Sequence, residues 1–478
     1  MVFSSATFLF FFLPCLLLLY FAVPARFRMA RNIILLAFSI VFYAFGGVKF
    51  VGLLLLSVGI NYFSGLLASE DNPKSVRKTG VVLACVLGLA LLGWFKYAGF
   101  FAEIINSAGL AIPVPEITLP IGISFFTFQG LSYVIDVYRG DAQCQRNPFA
   151  LALYIALFPQ LVAGPIVRYT TIEQEIIDRR ETLEDFSAGT VRFILGLGKK
   201  MILANPMGEI ADTIFGQATP DFTTGAAWTA ALAYTFQIYF DFSAYSDMAI
   251  GLGRMFGFHF LENFNYPYIS ASITEFWTRW HISLSTWFRD YVYFPLGGSY
   301  CSVTKNIRNL AVVWILTGMW HGAAWNFIFW GVWYLCFLLI EKFLLGRLIA
   351  GLPPVLKHLY TLLVVIAGWV FFRAPDLGYA AGMLASMAGF GSGGGLGEMV
   401  YFLLEYWPEW ILCLIAVFPV KILLQSILES LAGGWSSSSA MAEQILIWGP
   451  KFFAAGVMMA SYLKLVTGSF NPFIYFQF

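Results

Sequence analysis

"AVVWILTGMWHGAAWNFIFWGVWYLCFLLI", residues 311–340, contains no Asp, Glu, Lys or Arg, and its one histidine, His321, stands between a tryptophan and a glycine. As one helix, thirty residues at about 1.5 Å each would reach roughly 45 Å, against a hydrocarbon core of about 30 Å. One straight span does not fit, so the run is expected to break. Gly318 and Gly322 mark the place, which puts His321 where one helix ends and the next begins, near mid-membrane. An imidazole there is suited to proton transfer, because its reference pKa of about 6.5 lies close to neutral pH. The bland alternative is a hydrogen-bonded core histidine.

The composition places that run in a polytopic membrane protein. Of 478 residues 59% are hydrophobic and 12% charged, against about a quarter charged in an ordinary soluble protein. A net charge of +1 offers no basic surface for nucleic acid. The six cysteines are scattered without a C-x-x-C pair, so neither a disulfide framework nor a thiolate metal site is indicated. The four histidines form no H-E-x-x-H, and no G-x-S-x-G elbow occurs. Metallohydrolase and serine-hydrolase readings therefore lack their motifs, and no metal site is expected.

Apolar windows of spanning length recur along the chain, and about 11–12 transmembrane helices are expected in one domain covering 1–478. Candidates lie near 3–23, 32–46, 49–68, 80–100, 147–163, 190–206, 226–250, 309–325, 327–346, 359–372, 408–425 and 448–466. "LPIGISFFTFQGLSYVIDVY" (119–138) mixes Gly, Pro, Gln and Asp into apolar sequence and is expected to re-enter or to line an interior chamber. "TIEQEIIDRRETLEDF" (171–186) reads as a surface helix-loop-helix with Thr182 and Asp185 in capping-box spacing. "GGWSSSSA" (433–440) reads as a flexible loop. The first apolar segment has no Lys or Arg ahead of it and is followed by Arg26, Arg28 and Arg31. The positive-inside rule then makes it a retained span with its N-terminus outside, which is periplasmic in a bacterial inner membrane.

Polar chemistry collects between residues 234 and 331. In "YTFQIYFDFSAYSDMAIGLG" (234–253), Asp241 and Tyr245 stand four apart, as do Ser243 and Asp247, so polar groups stack on neighbouring helix faces. Carboxylates at membrane depth mark functional sites unless a nearby cation pairs with them. In "SITEFWTRWHISLSTWFRDYVYFPLGG" (272–298), Glu275 and Arg279 have ion-pair spacing. Trp277, Trp280, His281 and Leu284 fall on one helical stripe, the pattern of an interfacial amphipathic helix with His281 on its apolar side.

With these clusters in place the chain resembles the membrane-bound O-acyltransferase family, in the bacterial branch that acetylates alginate and other exopolysaccharides. The stretches that carry the resemblance are "MVFSSATFLFFFLP", "LPIGISFFTFQGLSYVIDVYRGD", "LVAGPIVRY", "YFDFSAYSDMAIGLG", "ENFNYPYISASITEFWTRWHISLSTWFRDYVYFPLGG" and "GMWHGAAWNFIFWG". They run in order to about residue 335, with core motifs over 119–335; beyond that only hydropathy and the ending "NPFIYFQF" match. The resemblance implies a ring of transmembrane helices with re-entrant and interfacial helices around a thin centre crossed by a substrate tunnel. It puts the family's catalytic histidine on His321 and its second histidine on His281. It implies a cytoplasmic acyl thioester as donor, acetyl-CoA, with no bound cofactor, and a periplasmic acetyltransferase or acceptor protein as partner. The setting it implies is the bacterial inner membrane.

In that chemistry His321 takes the proton from an acceptor hydroxyl, and His281 orients substrate, holds the donor or polarises the carbonyl. Trp280, Trp320, Asn265 or backbone N–H groups freed at 318–322 would stabilise the oxyanion, and Asp241 and Tyr245 complete the expected substrate-binding set. Two rivals remain: a transporter or flippase that uses Asp241, Asp247 and His321, and a structural scaffold of an export complex.

Overall fold

The computed structural model describes residues 1–478 apart from 219–220, 392, 394, 421, 424–425, 427–435, 469 and 473–478. Helices and loops make up the described residues, with no β-strand among them. By packing the chain divides into two compact units, 1–190 with 248–261 and 191–247 with 262–478.

The first unit contains α1 (Leu13–Ala22), α2 (Arg28–Ala44), α3 (Lys49–Ala68), α4 (Lys74–Ser107), α5 (Ile123–Arg139), α6 (Pro148–Ala156), α7 (Phe158–Leu161), α8 (Tyr169–Ile177) and the start of α9 (Leu183–Gly198). Helix α3 packs against α4, α5 and α6. Gly130 permits the α3–α5 contact, since a Cβ there would lie 2.3 Å from Asn61 Nδ2. The mixed stretch 119–138 thus becomes a regular helix, α5, buried along almost its whole length. Half of the capping box forms as its spacing implies: Thr182 Oγ1 accepts from Asp185 N at 3.0 Å, while the Asp185 carboxylate accepts from the Thr182 hydroxyl at 2.8 Å.

Between α8 and α9 sits Glu181, a buried carboxylate surrounded by Arg28, Arg31 at 2.9 Å and Arg179 at 3.6 Å. Burial works against its charge, but the hydrogen bonds from Arg28 and Tyr20 outweigh it and bring the pKa from 4.5 down to about 2. A depressed carboxylate pKa stabilises the fold above the unfolded-state value and ceases to do so as pH falls through the folded one. Glu181→Gln is therefore expected to lower the melting temperature at pH 7. The gap from wild type should close between pH 4.5 and about 2; a gap unchanged across that window would contradict the assignment.

The second unit contains the rest of α9, then α10 (Asn205–Phe215), most of α11 (Thr224–Met255), α12 (Ile273–Arg279), α13 (Ile282–Phe288), α14 (Val303–His321), α15 (Trp325–Leu339), α16 (Gly346–Gly351), α17 (Pro354–Arg373), α18 (Leu377–Met387), α19 (Gly397–Glu405) and α20 (Trp407–Ala416). A last helix runs Ser436–Thr467, so the serines of the expected 433–440 loop begin a helix, while 433–435 lie outside the described residues. Residues 473–478 of the "NPFIYFQF" ending lie outside them too. Helix α15 packs on α14 and α17, and α12 packs on α15 and α17.

Among the described residues five helices are long and apolar enough to cross a membrane, or six if the α19–α20 pair, bent by 79°, counts as one span. They are Lys49–Ala68, Lys74–Ser107, Trp325–Gly351, Pro354–Arg373 and Gln444–Thr467. The polytopic all-α architecture stands, and the difference from 11–12 has physical causes. The window at 147–163 splits into α6 and α7, and that at 3–23 contributes only the shorter helix Phe8–Ala22. The window at 190–206 includes the cationic Arg192, Lys199 and Lys200, and that at 226–250 the acidic Asp241 and Asp247.

Candidate active site

The run 311–340 breaks where its length requires. Helix α14 ends at His321, Gly322 is extended with φ −165°, and α15 starts at Trp325. Glycine is needed on both sides of this hairpin. A Cβ on Gly318 would lie 2.4 Å from the Phe327 carbonyl oxygen, one on Gly331 2.3 Å from that of Trp314, and one on Gly322 2.2 Å from the Phe327 ring. The two backbones therefore touch, and the contact holds the end of α14 in place. His321 is buried there, with its ring edge-to-face against Trp320, Trp330 and Phe372 at centroid distances of 5.0, 4.9 and 5.1 Å.

His281 departs from the expected helical stripe. Helix α12 stops at Arg279, Trp280 is extended, and His281 takes the left-handed conformation with φ 44° and ψ 53° before α13 restarts. Tertiary pairing overrides the helical pattern: Asn265 N donates to Arg279 O and Ile282 N to Asn263 O, both at 2.9 Å. A left-handed non-glycine residue costs on the order of 1–3 kcal/mol and persists only where its surroundings fix it. Here Asn263 is the fixing group. Its Oδ1 lies 3.1 Å from His281 Nδ1 and accepts from Ser283 N at 3.2 Å and Ser283 Oγ at 2.8 Å, while its Nδ2 donates to Ser246 Oγ at 3.0 Å.

Helix α12 is itself anchored by Glu341, from a π-helical turn after α15. The Glu341 carboxylate accepts from Ile273 N at 2.6 Å, Thr274 N at 2.9 Å and Thr274 Oγ1 at 2.6 Å. Orphan N–H groups at a helix start are satisfied in this way.

One indole joins the two histidines. Trp320 lies 5.8 Å from the His281 ring and 5.0 Å from that of His321, and Phe242 of α11 closes on His281 edge-to-face at 4.6 Å. His281 is fully buried, and its Nε2 has no hydrogen-bond partner among the described residues. Trp330 Nε1 is likewise buried without a partner among the described residues.

The remaining sequence candidates separate. Asp241 is buried and paired with Lys200 at 2.8 Å. Asp247 is held by Lys199 at 2.6 Å and Arg192 at 2.8 Å, and Arg192 also grips Glu262 at 2.5 Å. Tyr245 is buried on α11. The face of α11 that reaches the histidine site is that of Phe242 and Ser246, one turn apart. Trp280 packs into an aromatic cluster with Trp369, Phe264 and Phe276 at 4.7, 5.1 and 5.6 Å. Asn265 is exposed, whereas Asn263, two residues earlier and absent from the sequence candidates, is the buried one. Nothing in "ENFNYPY" tells the two asparagines apart until the chain folds beside His281. Trp330 and Phe372 likewise join the site only through the packing of α15 and α17 on α14's end. Among the described residues no group of three His, Cys, Asp or Glu is placed to hold a metal ion.

The family model for membrane-bound O-acyltransferases matches residues 145–375, which include both histidines. Over the whole of both chains the protein is 43% identical to the probable alginate O-acetylase AlgI of Azotobacter vinelandii. It is 34% identical to the peptidoglycan O-acetyltransferase of Helicobacter pylori, over 81% of this chain and 80% of that one. To the teichoic acid D-alanyltransferase of Bacillus subtilis it is 31% identical, over 46% of this chain and 60% of that one.

Proposed function

Because the chain belongs to the alginate O-acetylase branch of the membrane-bound O-acyltransferase family, we propose that this multi-pass membrane O-acyltransferase moves acetyl groups from cytoplasmic acetyl-CoA toward an exopolysaccharide. His321 is the general base. The observation that carries this reading is the placement of His321: buried at the end of a helix broken in mid-run, caged by three aromatic rings, and joined to His281 through Trp320. The reaction balances simply. The acceptor hydroxyl gives its proton to His321 as its oxygen attacks the thioester carbonyl, the C–S bond breaks, and the proton passes to the departing thiolate.

Negative charge on the carbonyl oxygen needs a donor that is in place beforehand. Trp330 Nε1, buried without a partner beside His321, supplies one. The acceptor is a hydroxyl presented on the periplasmic face, directly on the polysaccharide or through a periplasmic acetyltransferase. In this reading the protein sits in the bacterial inner membrane with its N-terminus periplasmic and a tunnel through its thin centre.

The transport alternative needs carboxylates available to a proton or a polar cargo. Asp241 and Asp247 are both engaged by lysines, and Asp247 by an arginine as well, which favours a structural role for them. Membrane vesicles carrying the protein test the choice. With labelled acetyl-CoA on the cytoplasmic side, label is expected on acceptor at the opposite face, with stoichiometric release of free CoA thiol. Entry of intact acetyl-CoA without thiol release would overturn the enzyme reading in favour of transport.

A further inference from the structure

The hydrogen bonds around Asn263 determine which nitrogen of His281 carries the proton. A backbone N–H can only donate, so the Asn263 atom that receives Ser283 N at 3.2 Å is the amide oxygen. The other end of the amide, the NH2, correctly meets Ser246 Oγ at 3.0 Å. An amide oxygen can only accept, so the His281 Nδ1 that lies 3.1 Å from it is the donor, and the Ser283 hydroxyl, 3.5 Å from Nδ1, gives its own hydrogen to the same amide oxygen at the shorter distance of 2.8 Å. With Nδ1 protonated, the neutral ring has a bare lone pair on Nε2. That atom is buried and unpartnered among the described residues. His281 stands outside the five spanning helices, and its burial against Phe242 and Trp320 disfavours the imidazolium.

We propose that Asn263 is a positioning residue that locks His281 in the Nδ1–H tautomer, so that Nε2 receives a hydrogen bond from an N–H or O–H group of a substrate. This rests on the acyltransferase reading for the substrate's identity but not for the tautomer. It also narrows the role of His281. A bare Nε2 cannot polarise the thioester carbonyl, because that needs a donor; it can only hold a group that brings its own hydrogen. Two substrate groups offer one, an amide N–H on the arm of the thioester donor and a hydroxyl on the acceptor. Ser246 and Ser283 complete the lock, and the cost of the left-handed backbone at His281 is met by the same asparagine, whose main-chain oxygen accepts from Ile282 N.

The full-length protein in lipid, labelled with 15N-histidine, tests this directly, since only four histidines contribute signals. The His281 resonances are identified by their loss in His281→Gln. At neutral pH wild type is expected to show a protonated Nδ1 and an unprotonated Nε2; the reverse pattern would overturn the proposal. Asn263→Leu should release the preference, and Asn263→Asp, which keeps an acceptor oxygen, should restore it.

Acetyl-CoA and an alginate oligosaccharide are then added separately to wild type. A shift of the Nε2 signal with one of them assigns the source of the hydrogen, and no shift with either overturns the receiving role. Activity gives a second readout: if Asn263 acts through His281, Asn263→Leu should cost transfer in a wild-type background and nothing further in His281→Gln. Losses that multiply would overturn the link. An inactive wild type with the expected tautomer would instead count against the acyltransferase reading alone.

Discussion

Replacing His321 with phenylalanine or alanine is expected to reduce acetyl transfer by about 10²–10⁴-fold, the usual contribution of a positioned general base. The two variants separate chemistry from packing. The imidazole is buried edge-to-face against Trp320, Trp330 and Phe372, and such ring contacts contribute roughly 0.5–1.5 kcal/mol each beyond area burial. Alanine removes both the imidazole nitrogens and the filling of the cage, so its melting temperature should fall. Phenylalanine keeps an aromatic ring in the cage but has no nitrogen. Its stability should stay near wild type while its activity falls as far as alanine's. Transfer from labelled acetyl-CoA, measured beside thermal unfolding in the same detergent, checks both halves. Full transfer in His321→Phe would remove His321 from the role of base, and loss of activity only where stability is lost would make it a packing residue.

How much of this site the sequence reveals depends on how local the determining interaction is. The break before Gly322 is legible because it follows from length alone: an uncharged run too long for one span must bend, and glycine marks where. The side-chain cap at Thr182 is legible because its partners stand three residues apart. His281 is where local reasoning fails. Trp277, Trp280, His281 and Leu284 repeat with helical spacing, yet the helix stops at Arg279 because residues 263–265 pair with 279–282. The same pairing buries Asn263 and leaves Asn265 exposed, a choice invisible to composition or period. Asp241 and Asp247 show the pattern in charge: the sequence makes them conspicuous, but their partners Lys200 and Lys199 come from a π-helical turn some forty residues earlier.

The glycines of the α14–α15 hairpin should matter as much as the histidine, for a different reason. In Gly331→Val the first added carbon would stand 2.3 Å from the Trp314 carbonyl oxygen and 3.4 Å from Gly318 Cα. Neither is a side chain that can rotate away. Overpacking a core usually costs about 1–3 kcal/mol because neighbours can adjust; here the adjustment available is separation of two backbones, so the cost belongs at or above the upper end. Separation also moves the end of α14, and with it Trp320 and His321. A misplacement of about 1 Å in a reacting group can cost on the order of 10²-fold in rate. Gly331→Val is therefore expected to lower both the melting temperature and acetyl transfer, the first by more than His321→Phe does. Gly59→Val is the control, because a Cβ at Gly59 meets nothing within 4 Å, and it should leave both quantities near wild type. Wild-type stability in Gly331→Val would mean that the close helix contact does not set the position of His321. Activity lost at unchanged stability would instead assign Gly331 a place against the substrate itself.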